Sequence, residues 1–213
     1  DISERAKNTL SLVDIVLCED TRVTQILLNQ YKIKAEVMSY HQHSKKSKTQ
    51  KIIRLFEEGS DIAMVTDAGT PSISDPGGRL IEELILHFKD DIRIVPIPGP
   101  SALITALSVS GFPADEFVFL GFPPHKKGRQ KFFNKVCDIE STVVFYESTH
   151  RIFKTLDELE QRTENRLLIV GRELTKLHET IYRGTVSDVT EELKSTSIKG
   201  EFVIVLAPKK YER

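Results

Sequence analysis

The sequence predicts a two-domain α/β protein. Three observations carry that reading. Short apolar runs alternate with segments of helical period through the first half, the rhythm of parallel strands covered by helices. The stretch SGFPADEFVFLGFPPHKKGRQK (110–131) then breaks the rhythm with Gly and Pro at both ends of a short apolar run, and sets the boundary between domains 1–115 and 116–213. Beyond it, LLIVGRE and ETIYRGT are separated so briefly that they read as an antiparallel pair, which makes the second domain α/β of a mixed kind.

In order, the first domain has helical patterns at 3–12, 22–31, 48–58, 77–88 and 101–110, and strand patterns at 15–18, 36–40, 61–66 and 92–97. The helix over 77–88 is marked by Asp75 as N-cap, Pro76 in the first turn, and an apolar stripe of Leu80, Ile81, Leu84, Ile85 and Phe88. Ser101 is placed to cap the next helix, which Gly111 ends. The second domain carries strand patterns at 117–121, 142–146, 167–172, 180–184 and 202–206, and helices at 128–137, 150–162 and 186–195.

Composition narrows the classes of function. With 30 basic and 31 acidic side chains the net charge is -1, so no global positive field advertises nucleic acid and any such role rests on local patches. Cys18 and Cys137 lie far apart beside apolar residues, the usage of reduced thiols rather than of a secreted disulfide scaffold. No apolar run approaches the ~18 residues of a membrane span. The expectation is a cytoplasmic protein without a membrane partner.

Several clusters of small and polar residues follow strands, where open α/β sheets bind ligands. They are CEDTR (18–22), SYHQH (39–43), TDAGTP (66–71), PIPGPSA (96–102), YESTHR (146–151) and RELTK (172–176). TDAGTP lacks the Gly-Lys-Ser/Thr of a phosphate loop, and its glycine spacing is not that of the dinucleotide fingerprint. An acid at a strand end beside a glycine suits a ligand bearing hydroxyls and an ammonium; a plain βα turn is the competing reading. PIPGPSA is a stiff connection that serves equally as a preorganised wall. His41 and His43 lack a visible third ligand, so no metal is expected.

HKKGRQK (125–131) has the composition of a phosphate-contacting loop, with Lys126, Lys127 and Arg129 as candidates, and also that of a solvated helix start. Lys45, Lys46, Lys48, Lys51 and Arg54 form a second basic cluster. Glu147, Glu173 and Glu179 pair with Arg151, Arg172 or Lys176 in one reading and are candidate general bases in the other, with Lys176 as a further candidate helper in proton transfer.

Taken together, LCEDTR, SYHQH, TDAGTPSISDPG, PIPGPSA, GFPPHKKGR, YESTHR, RELTKLHETIYRGT and KGEFVIVL resemble the ribosomal RNA small-subunit 2′-O-methyltransferase group of the tetrapyrrole methylase superfamily, from residue 1 to about residue 206. The resemblance implies two α/β domains of the tetrapyrrole methylase type with the active site in the cleft between them, S-adenosylmethionine (S-adenosyl-L-methionine) as methyl donor, and a homodimer. It also implies transfer to the ribose 2′-hydroxyl of a cytidine in the decoding region of 16S rRNA, within the small ribosomal subunit. By the same resemblance Asp67, Ala68, Gly69 and Thr70 line the cofactor pocket, Ser74, Pro98, Gly99 and Ser101 fall on its neighbouring wall, and Tyr146, Leu174 and Thr175 are the second domain's contribution. The family pattern opens with an apolar strand and a Pro-Ile-Gly-Asn turn ahead of the segment matched by DISERA, so a first sheet without its central strand is expected from the sequence as it stands. A small-molecule methyltransferase would share the cofactor loops but need an apolar trough; a non-catalytic RNA-binding protein would need only the basic rim.

Overall fold

The computed structural model describes residues 1–42, 44–163 and 165–211; His43, the second histidine of SYHQH, lies outside the described residues. The chain divides into two compact units, Asp1–Ser101 and Ala102–Arg213.

The first unit runs α1 (Glu4–Leu12), β1 (Ile15–Cys18), α2 (Thr21–Gln30), β2 (Glu36–Ser39), α3 (Lys46–Glu57), β3 (Ile62–Met64) and α4 (Gly78–Phe88), followed by a 3-10 turn over Lys89–Asp91. Its sheet has the order β2-β1-β3, with Ile15 opposite Glu36 on one side and Ile62 on the other, all parallel. The run Ile-Val-Leu-Cys does not alternate because β1 is buried on both faces. Ile15 and Leu17 pack with Ile52, Leu80 and Leu84 from α3 and α4, while Val16 packs with Leu10 and Leu28 from α1 and α2.

Two expectations for this unit are corrected. The helix over 78–88 starts at Gly78, with Gly77 at φ +137 as its cap residue, rather than with Asp75 and Pro76 at its start. The reason is that the Pro76 carbonyl accepts from the Ser72 N–H at 3.1 Å, closing a separate loop before the helix begins. The segment 92–97 is extended at Ile92 but joins no sheet among the described residues, and Ile94 and Val95 stay exposed. A strand needs a neighbour's ladder as well as a pattern, and β3 pairs with β1 alone.

The second unit runs α5 (Ala102–Ser108), β4 (Phe117–Phe119), α6 (Arg129–Asp138), β5 (Thr142–Ser148), α7 (Ile152–Glu160), β6 (Leu168–Arg172), β7 (Thr180–Gly184), α8 (Val186–Lys194) and β8 (Glu201–Leu206). The five strands have the order β4-β5-β8-β6-β7, with β4 and β5 parallel and the other neighbours antiparallel, including the expected β6–β7 pair. One sheet face presents Val143, Phe145, Val170 and Ile204 to α6, α7 and α8; the other presents Val144, Ile169, Val203 and Val205 to α5. Helix α5 spends Leu103, Ala106 and Leu107 on that second sheet, which places the unit boundary ahead of α5 and not at 115/116. Pattern alone does not say which sheet a short helix covers. Cys18 and Cys137 are both free thiols, each pushed up in pKa by burial. Among the described residues no helix is long and apolar enough to cross a membrane.

Candidate active site

In the first unit the TDAGTP and PIPGPSA segments meet. The Thr70 hydroxyl donates to the Pro100 carbonyl at 3.2 Å, and the Ser3 hydroxyl, which also caps α1, donates to the Pro98 carbonyl at 3.1 Å. Asp67, Ala68, Gly69 and Thr70 are exposed, as are Ser74, Pro98 and Gly99, with Ser101 half-buried. Thr66 turns its hydroxyl back to the Ala68 carbonyl at 3.2 Å, holding the loop behind Asp67. Gly69 has φ +77, a conformation that costs glycine little and strains any residue with a side chain, and Gly99 opens to free space with nothing within 4 Å of where a Cβ would stand.

The loop between β3 and α4 is strained beyond its glycines. Ser72 and Ser74 are left-handed at φ 73 and 63. The Ser72 hydroxyl is buried with no hydrogen-bond partner, and a Cβ on Gly77 would come within 2.5 Å of it. Strain of this kind collects at ligand sites.

These residues fit the methyl donor that the family resemblance implies. None of the peptide N–H groups of residues 67–70 donates to a backbone carbonyl among the described residues, so the row is available to a polar ligand. Asp67 adds a carboxylate for hydroxyls or an ammonium, and the two glycines leave room for close approach. CEDTR is different: Asp20 caps α2 by accepting from the Arg22 N–H at 2.9 Å, and the Arg22 guanidinium and N–H hold its carboxyl down to about 2. That cluster is helix-start chemistry.

In the second unit the RELTK segment is a braced loop. Glu173 and Thr175 are left-handed at φ 49 and 63, and Leu174 folds back over Gly171, where a Cβ would meet its side chain at 2.9 Å. Arg172 is buried and donates to the Lys199 and His178 carbonyls at 2.7 and 3.1 Å. Glu179 accepts from the Thr175 N–H at 2.6 Å. The Glu173 carboxylate accepts from the Glu201 N–H and the Lys176 ammonium, both at 2.9 Å, and these two hold its pKa below the usual range. Burial works to lower the Lys176 pKa, but bonds to Glu173 and Glu201 outweigh it and the net shift is upward. At neutral pH the pair is therefore carboxylate and ammonium, and Lys176 is no base. Half-buried Tyr146 packs edge-on against Phe119 with ring centres 5.0 Å apart, and its ring lies 5.4 Å from that of Phe122.

Glu147 takes the ion-pair alternative, with Arg151, and Arg129 does not stand where the sequence suggests. Glu147 is fully buried: one oxygen accepts from the Ser148 N–H at 2.7 Å and from Arg151 at 2.8 Å, the other from the Thr155 hydroxyl at 2.6 Å. It has no surface from which to take a proton, so it is not placed for proton transfer. Arg129 is 3% exposed, 3.7 Å from Glu147 and 2.7 Å from Glu158, and its guanidinium lies 5.0 Å from the Phe133 ring centre. Lys126 and Lys127 are exposed on the loop just before it. Arg151, Thr155 and Glu158 complete this network and were missed as a group. Their signal was the spacing of Arg151 and Thr155, four and eight residues after Glu147 across the turn from β5 to α7. Among the described residues no group of three His, Cys, Asp or Glu side chains converges as metal ligands.

Strained, glycine-lined loops behind parallel strands in one unit, with a mixed five-stranded sheet in the other, define an α/β protein of two units. Residues 1–190 match the family described as Tetrapyrrole (Corrin/Porphyrin) Methylases, and the chain belongs to that family. Solved structures share the fold at low identity. Cobalt precorrin-4 methyltransferase, a cobalamin biosynthetic enzyme, superposes with a TM-score of 0.68 at 20% identity over 97% of this chain and 88% of its own. Diphthine synthase gives 0.71 at 11% identity over 97% and 84%. Nearer relatives carry the name ribosomal RNA small subunit methyltransferase I. That of Hydrogenobaculum sp. is 45% identical over 210 residues, 97% of this chain and 90% of the relative, and that of Thermotoga maritima is 40% identical over 209 residues, 98% and 93%.

Proposed function

We propose that the protein methylates ribosomal RNA, moving the methyl group of S-adenosylmethionine to the ribose 2′-hydroxyl of a cytidine in the decoding region of 16S rRNA in the small ribosomal subunit. The observation that carries the reading is the exposed stretch 67–70, whose N–H groups donate to no backbone carbonyl among the described residues, beside Gly99, in a chain 40 to 45% identical over nearly its whole length to relatives named for ribosomal RNA methylation. In this reading the protein works in the cytoplasm as a homodimer, as the resemblance implies.

When bound, the cofactor supplies a methyl group on a sulfonium, already activated for displacement. Residues 67–70 would hold it, with Ser74, Pro98, Gly99 and Ser101 as the neighbouring wall. Tyr146, Leu174 and Thr175 are the further cofactor residues that the resemblance implies. The protein's main task is alignment of the acceptor oxygen. A ribose hydroxyl is very weakly acidic, so its proton leaves with or after attack; Glu173 is the carboxylate and Lys176 the fixed cation assigned to that step, while Glu147 is withdrawn from it. Lys126 and Lys127 hold phosphates flanking a target that is single-stranded or locally distorted.

The test is transfer of labelled methyl to 30S subunits, with mapping of the modified nucleotide. A single modified cytidine at its ribose supports the reading. Transfer to a porphyrin precursor and not to 30S subunits replaces it with the small-molecule reading; cofactor binding absent in calorimetry, with no transfer, replaces it with a non-catalytic one.

A further inference from the structure

The basic loop from Gly121 to Gly128 is bounded by two left-handed glycines, at φ 64 and 87, and exposes residues 125–128. Its two prolines are gripped from beneath. Arg151 donates to the Pro123 carbonyl at 2.8 Å and Arg129 to the Pro124 carbonyl at 3.3 Å. Both arginines are anchored on Glu147: Arg151 directly at 2.8 Å, and Arg129 at 3.7 Å and through Thr155, which accepts from Arg129 and donates to Glu147. Glu158 binds the other side of Arg129 at 2.7 Å. Two carboxylates and two guanidiniums thus balance in charge, in a place where an unpaired charge is not tolerated.

We propose that Glu147 is a positioning residue: through Arg151 and Arg129 it fixes the path of Pro123 and Pro124, and so sets where Lys126 and Lys127 are presented to the RNA backbone. The proposal rests on the RNA-methylation reading. A proline has no N–H and its carbonyl is its only backbone polar group, so a donor at that carbonyl is the direct way to hold it. A loop that carries two lysines gains affinity when its path is set beforehand, because less ordering remains for the binding step.

The variants are Glu147→Gln, which removes the charge but keeps an acceptor, and Arg151→Lys, which keeps a cation at the less buried arginine but loses the fork that spans Glu147 and Pro123. Amide hydrogen exchange in the free protein is read first. The Arg129 amide, which donates to the Lys126 carbonyl at 3.3 Å across the end of the loop, should exchange about tenfold faster while the amides of β5, β6 and β8 keep their rates. In methylation of 30S subunits KM should rise about fivefold with kcat within twofold of the parent, and cofactor affinity in calorimetry should not move. Arg151→Lys supplies the answer if Glu147→Gln fails to fold. Equal acceleration across the whole second unit would overturn the proposal, since the network would then be only a fold support. The double variant Lys126→Ala, Lys127→Ala separates the two readings. If it weakens binding to 30S subunits while a loosened loop does not, the positioning proposal falls alone; if it leaves binding unchanged, the RNA role of the loop falls and takes the proposal with it.

Discussion

Replacing Gly69 with alanine, against the same change at Gly59, separates the cofactor reading of TDAGTP from a plain turn. Gly69 has φ +77 and Gly59, just past α3, has φ +87. At Gly69 an added Cβ would lie 4.0 Å from the Pro100 carbonyl oxygen, ordinary contact, and at Gly59 it would meet nothing within 4 Å. Neither alanine clashes, so both variants should lose only the cost of a left-handed alanine, ~1–2 kcal/mol. For a chain of this size that lowers Tm by about 2–4 °C per kcal/mol, equally for both. Any difference must come from a ligand. At Gly69 the new methyl stands on the exposed surface beside the N–H row, where a bound molecule must approach the backbone, and S-adenosylmethionine affinity should fall by at least about tenfold, ~1.4 kcal/mol. Gly59→Ala should bind like the parent. The assay is titration calorimetry with S-adenosylmethionine alongside a melting curve for each variant. Equal affinity in the two variants would remove Gly69 from the site, and a much larger loss of stability at Gly69 would show that the loop's geometry is needed for folding instead.

Three further outcomes follow from the geometry. Asp67→Ala should weaken cofactor binding by about 10- to 100-fold, the range for one charge-assisted hydrogen bond, and leave Tm in place because the side chain is exposed; unchanged affinity in calorimetry would exclude it. The double variant Lys126→Ala, Lys127→Ala should flatten the plot of log binding constant against log salt by about 1.4, two single-strand phosphate contacts, with cofactor affinity untouched; an unaltered slope would return the loop to a solvated helix start. Glu173 has a depressed pKa in the folded protein, from the Glu201 N–H and Lys176, so the stability it contributes is complete above its ordinary value of 4.5 and is lost as the pH falls through the lower folded value. The gap in urea midpoint between the parent and Glu173→Gln should therefore hold from pH 7 to about 5 and close in stronger acid, whereas a gap independent of pH would rule out these two bonds as its source.

How far the sequence could be read depended on the range of the interaction involved. Ile15–Cys18 was legible because a continuous apolar run of strand length has few other uses than a strand buried on both faces. The Asp75-Pro76 start failed because a local helix signal was overruled by the Ser72–Pro76 closure, which satisfies the loop first. Residues 92–97 have a strand's composition, but pairing is decided by neighbours a pattern does not contain. Thr70 and Pro100 meet across thirty residues, so the two cofactor segments could be matched to a family in sequence but only joined in the structure. Arg129 was misread, and the correction was available: it shares a helical stripe with Phe133 and Val136, both wholly buried, while Lys131 beside it is exposed. A cation on an apolar stripe calls for a partly or fully buried anion, and Glu158 supplies it at 2.7 Å, with the buried Glu147 at 3.7 Å.

That pairing bears on the loop over 121–128. The solved neighbours carry names as unlike as cobalt precorrin-4 methyltransferase and diphthine synthase, so the shared fold alone does not settle what a member acts on. In the RNA-methylation reading the acceptor meets the loop over 121–128, exposed at residues 125–128. Stability alone does not call for a network of two arginines and two glutamates beneath it, because an apolar cluster of the same volume supports a sheet as well or better. What an apolar cluster cannot do is donate hydrogen bonds to the carbonyls of Pro123 and Pro124. The buried charges therefore make sense as a means of holding a particular backbone path, and the residues that path delivers to solvent are Lys126 and Lys127.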